Sequence, residues 1–182
     1  METKIKEIIE SLVFISQEPL SLQRMKEVLQ EFSLEEVEQA FKELQASYTS
    51  NDHGIQIIQR AGGYLLSTKP EYDLWVRRLL KIERKNKLSS ASLETLSAIA
   101  YQQPTTLSEI SALRGVDSTH TLKTLLQKKL IRIVGRKKSP GSPLLYRTTD
   151  KFLIDFGLNR LDDLPSPEEI KKILEEQSDL EE

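Results

Sequence analysis

Two stretches that lie 85 positions apart, SQEPLSLQRM at 16–25 and YQQPTTLSEI at 101–110, carry matching residues in the same order. The register continues without a gap beyond both stretches. Matching pairs include Gln17 and Gln102, Pro19 and Pro104, Leu22 and Leu107, Val37 and Leu122, and Phe41 and Leu126. A repeat of this length predicts that one supersecondary unit occurs twice in the chain. This repeat constrains the fold more than any other feature of the sequence.

Each copy reads as three helices followed by a β-hairpin. In the first copy, apolar residues at helical spacing begin at Ile5, and Ser21 is placed to cap a second helix. Ser33 and Glu36 have the spacing of a capping box at the start of a third helix. Two β-prone runs then flank Gly62-Gly63, which indicates a hairpin. Three helices and a two-stranded wing are the winged-helix layout.

The second copy predicts the same order of elements. Thr106 and Glu109 repeat the capping box, and the runs LIRIVGR and PLLYRTT flank a tip rich in Pro and Gly. Thr149 is placed to cap a short helix that ends at Gly157. We therefore predict a mainly α fold with small β-hairpin wings (α+β) and two tandem winged-helix domains. The predicted ranges are 1–80, a linker at 81–88 that could continue the fourth helix, 89–164, and an acidic, flexible tail at 165–182.

Charge is distributed unevenly along the chain, although the net charge of the 182 residues is only −2. Residues 1–68 carry a net charge of −5, residues 69–160 carry +10, and residues 161–182 carry −7. A basic centre between acidic ends is typical of a protein that binds nucleic acid, an acidic partner, or a second copy of itself.

The residue types that support catalysis are scarce. The chain has no cysteine and only two histidines, His53 and His120, neither with a metal-ligand neighbour at helical spacing. It contains no phosphate-binding glycine motif. We expect a binding protein with no catalytic residues, no metal and no cofactor. With no signal peptide and no membrane-length apolar run, the sequence predicts a cytoplasmic protein.

The basic tip of the second hairpin allows two interpretations. In the first, the cations contact a phosphate backbone while the third helix, 118–129, enters the major groove. The possible phosphate contacts are Lys123, Lys128, Arg136, Lys137 and Lys138. Four glutamates in the third helix of the first copy would repel DNA, so at most one copy could bind it this way. A solubilising hairpin tip explains the cations equally well.

In the second interpretation, the second hairpin binds another protein. Leu144, Leu145 and Tyr146 are consecutive, and alternate residues of a strand point to opposite faces. At least one of the three should then point away from its own core, where a partner could bury it. Coverage of that face by a further helix is the simpler alternative.

The second copy resembles a known family. The stretches LSSASLETLSAIAYQQPTTLSEISALRGVDS and LIRIVGRKKSPGSPLLYRTTDKFLIDFGLNRLDDLP are similar to the bacterial segregation and condensation protein B family, and the first copy is similar more loosely. The resemblance implies tandem winged helices and a homodimer formed mainly through the first domain. It also implies a kleisin partner, segregation and condensation protein A, which connects this subunit indirectly to an SMC ATPase.

The resemblance implies a non-enzymatic scaffold of a condensin-like complex that acts in chromosome condensation and partition on the nucleoid during cell division. In the family the second domain is chiefly the one that holds the kleisin. For kleisin contact we predict Leu96, Ile99, Tyr101, Gly135, Pro140, Pro143, Leu144, Leu145 and Tyr146. For the dimer interface we predict Phe41, Tyr48, Ile57 and Leu65. DNA contact is expected to be weak or indirect. The alternative is a winged-helix transcriptional regulator.

Overall fold

The computed structural model describes residues 5–50, 52–81, 88–166 and 168–172. They form two units, each with its own hydrophobic core, which we call the first unit (5–81) and the second unit (88–166). Each unit consists of three helices followed by a β-hairpin. The predicted fold class, mainly α with small wings, is confirmed.

The first unit follows the predicted order. Its elements are α1 (Ile5–Ile15), α2 (Leu22–Val28), α3 (Leu34–Ser47), β1 (Ile55–Arg60), β2 (Gly63–Thr68), a 3-10 turn (Pro70–Tyr72) and α4 (Asp73–Leu80). Ser21 accepts a hydrogen bond from the Arg24 amide at the start of α2, and Ser33 forms the predicted capping box at the start of α3. These side chains satisfy amide groups that a helix leaves without partners at its amino end.

The core of the first unit forms where the apolar faces of α1, α2 and α3 meet. Ile9, Met25 and Val37 are fully buried, and Leu44 is 1% exposed. Burial of each such side chain contributes about 1.5–3 kcal/mol to folding. Strands β1 and β2 pair in antiparallel fashion, with Ile57 opposite Leu66. The hairpin covers one side of this helical core.

The second unit repeats this arrangement. Its elements are α5 (Ser90–Gln102), β3 (Thr105–Thr106), α6 (Leu107–Arg114), α7 (Thr119–Gln127), β4 (Ile131–Arg136), β5 (Leu144–Thr148), α8 (Asp150–Asp155) and a 3-10 turn (Leu161–Asp163). Thr106 and Glu109 form the predicted capping box, and Thr149 caps α8. The core contains Leu96, Ile99, Ile110 and Leu125, each no more than 1% exposed.

Strand β3 is a feature that sequence reasoning missed. It adds to the predicted hairpin and gives a sheet of order β3-β5-β4, in which Thr105 pairs with Tyr146. The first unit has the counterpart of this contact: Leu20 and Tyr64 exchange two backbone hydrogen bonds of 2.8 and 3.0 Å. Because Leu20 and Thr105 are equivalent in the 85-residue repeat, both units tie the loop before their second α-helix to the wing.

The join between the units differs in part from expectation. Lys81 adopts a left-handed conformation with φ of 50°, so α4 ends at Leu80 instead of continuing. A left-handed residue commonly closes a helix. The rest of the predicted linker, 82–87, and the end of the acidic tail, 173–182, lie outside the described residues. Residues 168–172 are helical, with Ser166 and Glu169 bonded to each other's backbone amides.

The two units meet at the tip of the first hairpin. The Ala61 amide donates a hydrogen bond of 3.1 Å to the Leu158 carbonyl, and the Gly62 amide donates one of 2.8 Å to Asn159 Oδ1. These bonds join the β1–β2 turn to the segment that follows α8. On the first unit both donors are backbone amides. Because every residue except proline carries such an amide, the sequence of that turn does not predict the contact.

Candidate partner-binding surfaces

The second hairpin buries one of its three consecutive apolar residues and partly covers the other two. Tyr146 is 6% exposed and belongs to the core, where burial raises the pKa of its hydroxyl. Leu144 packs against the same core, and Leu145 is half-buried. Tyr146 points into the core, and its neighbour Leu145 lies on the opposite face of β5. That a partner buries the outward residue of this run stays a prediction.

Other residues predicted for kleisin contact fall into two groups. Leu96 and Ile99 are core residues of α5, at most 1% exposed. In this fold they stabilise the second unit from within and are not accessible to a partner. Tyr101 is 47% exposed, and its hydroxyl donates a 2.7 Å hydrogen bond to the Pro165 carbonyl. In the wing, Gly135 and Pro140 are exposed and Pro143 is half-buried. Kleisin contact at these positions stays a prediction.

Apolar exposure in the second hairpin lies on β4, where sequence reasoning did not place it. The pairing shifts between Ile133 and Gly135, so Val134 is the extra residue of a β-bulge. Ile133 is 47% exposed and Val134 is 38% exposed. A bulge breaks the alternation of faces on which the sequence argument depended. The sequence shows LIRIVGR only as one strand of a hairpin and carries no sign of the bulge.

The residues predicted for the dimer interface lie mainly in the core of the first unit. Phe41, Tyr48 and Ile57 are each 9% exposed or less. The Tyr48 hydroxyl donates a hydrogen bond to Glu10, and this bond raises the pKa of Tyr48 to about 12. Leu65 is half-buried on β2. Three of the four residues therefore stabilise the unit from within, and their part in a dimer interface stays a prediction.

Helix α4 exposes the largest apolar side chains of the first unit. None of its residues is buried, and Leu74, Trp75, Leu79 and Leu80 are each more than half exposed. The carboxyl end of α1 also exposes two large apolar side chains, Phe14 and Ile15, both more than 70% exposed. Four exposed apolar side chains on one short helix, as in α4, mark an interaction surface. Helical spacing places these residues on one apolar face, but it does not show what covers that face.

The second unit also has a groove with a volume of about 640 Å³ between α5, α7 and α8. Its apolar lining residues are Leu88, Leu93, Leu130 and Phe156, of which Leu93 and Phe156 are more than 40% exposed. Lys128, Lys151 and Asp155 also line it, and Lys151 forms an ion pair with Asp155. The groove could accept an apolar side chain from a partner.

The predicted phosphate contacts are all exposed, but two of them have partners within the protein. Arg136 donates a 2.9 Å hydrogen bond to the Ser142 carbonyl, and Lys137 forms an ion pair with Glu109. The Lys137 hydrogen bond, followed by those from Thr106, lowers the pKa of Glu109 to about 2. Lys123, Lys128 and Lys138 are exposed on α7, at its end and at the wing tip. Their role as phosphate contacts stays a prediction.

Within the described residues, no group of three or more His, Cys, Asp or Glu side chains is arranged to hold a metal ion. Over the same part of the chain, no helix has the length and apolarity to cross a membrane. Two winged-helix units with exposed apolar and basic surfaces define a binding protein of the tandem winged-helix class.

A family model described as segregation and condensation complex subunit ScpB matches residues 7–167. The chain belongs to this family. Segregation and condensation protein B of Clostridium acetobutylicum is 42% identical over 169 residues, which are 93% of this chain and 83% of the relative. The protein of the same name from Syntrophotalea carbinolica is 42% identical over 177 residues, which are 97% of this chain and 89% of the relative.

Two solved structures extend the comparison. ScpB from Mycobacterium tuberculosis is 29% identical, with 85% of this chain and 95% of that chain covered, and has a TM-score of 0.41. A dimer of the ScpB N-terminal domain complexed with a ScpA peptide is 32% identical, with 46% of this chain and 99% of that chain covered, and has a TM-score of 0.41. The family inferred from the sequence is confirmed, as is a function as subunit of a condensin-like segregation and condensation complex.

Proposed function

We propose that this chain is a non-catalytic scaffold that forms a homodimer and binds the kleisin subunit, segregation and condensation protein A. The first domain, 1–80, provides the dimer contact, and the second domain, 89–164, holds the kleisin. The SMC ATPase is reached indirectly through the kleisin. The complex acts in the cytoplasm on the nucleoid. Membership of the family supports this assignment of partners.

The observation that carries the proposal is the apolar exposure on both units. In the first unit, Trp75 is 59% exposed and Leu79 is 81% exposed on a helix with no buried residue. Such side chains gain free energy when a second protein surface removes them from water, at about 25 cal/mol per Å². In a two-fold dimer the same surface faces itself, so one apolar helix can provide both halves of the interface. We therefore assign the dimer contact to α4 rather than to the buried Phe41, Tyr48 and Ile57.

In this proposal, contact with DNA is weak and depends on salt concentration. Lys123, Lys128 and Lys138 are the exposed cations that support it. Opposing it, α3 of the first unit presents the exposed Glu35 and Glu36 and the half-buried Glu38 where a winged-helix protein would contact the duplex. We therefore do not propose that this chain acts as a transcriptional regulator.

The test is the mass of the purified full chain, alone and mixed with the segregation and condensation protein A of its own organism. We expect two copies alone, and a complex of two copies with one kleisin that survives moderate salt. The variant Leu79→Asp should convert the isolated chain to a monomer, because the interface would have to bury a charge. A monomeric wild-type chain, or a mixture that shows no complex, contradicts the proposal.

A matched control comes from the second unit. Leu113 is 57% exposed on α6, so Leu113→Asp makes the same chemical change at a comparable helical position. This variant should remain a dimer when measured alone. Loss of the dimer in both variants would mean that added negative charge, not the α4 surface, separates the copies.

A further inference from the structure

Two arginines face each other across the second hairpin. The pairing of β4 with β5 places Arg132 directly opposite Arg147, and both side chains are exposed. In the part of the chain that the structure describes, no carboxylate forms an ion pair or hydrogen bond with either guanidinium. Like charges directly opposite each other destabilise a β-hairpin. The fold therefore carries an electrostatic cost at this position that a bound anion would remove.

Other cations of the second unit differ from this pair. Arg114 forms an ion pair of 2.9 Å with Glu94, and Lys151 forms one of 2.6 Å with Asp155. Lys137, at the tip of the same hairpin, is bonded to Glu109. The chain therefore supplies carboxylates to several of its cations, whereas Arg132 and Arg147 lie directly opposite each other with no such partner in the part of the chain that the structure describes.

Apolar side chains lie beside the two arginines. Leu145 shares a face of β5 with Arg147, since the two are separated by one residue. The residue opposite Leu145 is Gly135, which has no side chain to cover it. Val134, the extra residue of the bulge, is 38% exposed next to these positions. We call the surface formed by Arg132, Val134, Leu145 and Arg147 the wing face.

We propose that the wing face is the docking site for an acidic, apolar helical segment of the kleisin, an inference that rests on the proposed function. Residues directly opposite each other on a hairpin have Cβ atoms about 4.5–5.5 Å apart. Residues three or four positions apart on a helix have nearly the same spacing, about 5–6 Å. Two carboxylates on one turn of the segment pair with Arg132 and Arg147, and apolar residues of the same helix face bury Val134 and Leu145.

Duplex DNA fits this surface less well. A phosphate backbone would neutralise the arginines, but it would also cover Val134 and Leu145 with charged groups and gain nothing from their burial. A peptide segment that carries both carboxylates and apolar side chains can pair with the two arginines and also bury Val134 and Leu145. The observations therefore favour a peptide over a nucleic acid, and DNA binding is an outcome of the test.

The test compares binding of the full-length chain to the kleisin of its own organism and to a random 30-base-pair duplex, by biolayer interferometry. The double variant Arg132→Glu/Arg147→Glu should bind the kleisin at least about tenfold more weakly, with a shallower dependence on salt. Lys123→Glu/Lys138→Glu makes the same change in net charge outside the wing face and should retain kleisin affinity. Arg132→Glu alone places a carboxylate opposite Arg147, so this variant should melt no lower than the wild type while it binds more weakly.

Peptides that tile the kleisin identify the partner carboxylates. In the segment that binds, acidic residues changed to Lys should weaken binding to the wild type and restore binding to Arg132→Glu/Arg147→Glu. Unchanged kleisin affinity in the double variant overturns the inference and leaves the proposed function standing. Loss of duplex binding with intact kleisin binding also overturns it, because the site would then bind phosphate. If the wild-type chain binds no kleisin, both the proposed function and this inference are wrong.

Discussion

At the scale of single residues, a close approach between two backbone segments can exclude every side chain larger than that of glycine. Gly63 begins β2 where that strand passes the loop before α2. A Cβ atom at Gly63 would lie 2.6 Å from the Pro19 carbonyl carbon and 2.9 Å from the Leu20 nitrogen. Both are backbone atoms, so a side chain can fit only if one of the two segments moves.

We therefore expect Gly63→Ala to destabilise the first unit by about 1–3 kcal/mol, the usual cost of forcing extra atoms into a packed site. The control is Gly54→Ala, whose Cβ would meet only the Tyr72 ring at 3.7 Å. That variant should change the free energy of unfolding by less than about 1 kcal/mol. Thermal denaturation of both variants checks the prediction, and equal shifts would show that the contact with Pro19 and Leu20 has no special importance.

At the scale of elements, Glu109 connects a helix to the wing. Its carboxylate accepts a 2.8 Å hydrogen bond from the Thr106 amide at the start of α6, and it pairs with Lys137 of the hairpin. These interactions favour the ionised form and lower its pKa from 4.5 to about 2. The capping box alone was visible in the sequence. The Lys137 contact depends on the fold, because 28 positions separate the two residues.

The lowered pKa predicts a pH-dependent contribution to stability. Because Glu109 binds its proton less readily in the folded state, its stabilising effect is complete above pH 4.5 and is lost as the pH falls toward about 2. The free energy of unfolding of the wild type should approach that of Glu109→Gln over this window. Urea denaturation at a series of pH values measures the difference. Glu36→Gln, at the capping box of the first unit, should show a smaller change, and a difference between wild type and Glu109→Gln that is constant with pH would contradict the prediction.

At the scale of the whole molecule, two hydrogen bonds tie the first hairpin to the second unit. The Gly62 amide donates to Asn159 Oδ1, and the Ala61 amide donates to the Leu158 carbonyl. Only the first bond uses a side chain. It therefore offers a way to weaken the contact between the units without changing either core.

We expect Asn159→Ala to speed hydrogen exchange of the Gly62 amide several-fold, consistent with a bond worth about 1 kcal/mol. Each core should keep its melting temperature. Asn159→Asp retains an acceptor oxygen at the same position and should preserve the protection of Gly62. Amide exchange followed by mass spectrometry distinguishes the two variants, and identical exchange in Asn159→Ala and the wild type would show that this bond does not hold the units together.

The sequence by itself determined the features that depend on local spacing. The 85-residue repeat, the caps at Ser21, Ser33, Thr106 and Thr149, and both hairpins followed from periodicity and from side chains that bond to nearby amides. The family was also readable, because its motifs are continuous in the chain. These features need only a few neighbouring residues, so no knowledge of the fold was required.

Only the tertiary structure decided which apolar residues are exposed. Tyr146 and Leu145 are both predicted for kleisin contact and Phe41 for the dimer interface, yet Tyr146 and Phe41 are buried, whereas Trp75 on α4 is 59% exposed. Burial depends on what packs against a face, and periodicity does not report that. Strand β3, the bulge at Val134 and the pairing of Arg132 with Arg147 arise from contacts between distant segments. For this reason the chain's helices and family were predictable, whereas its partner-binding surfaces were not.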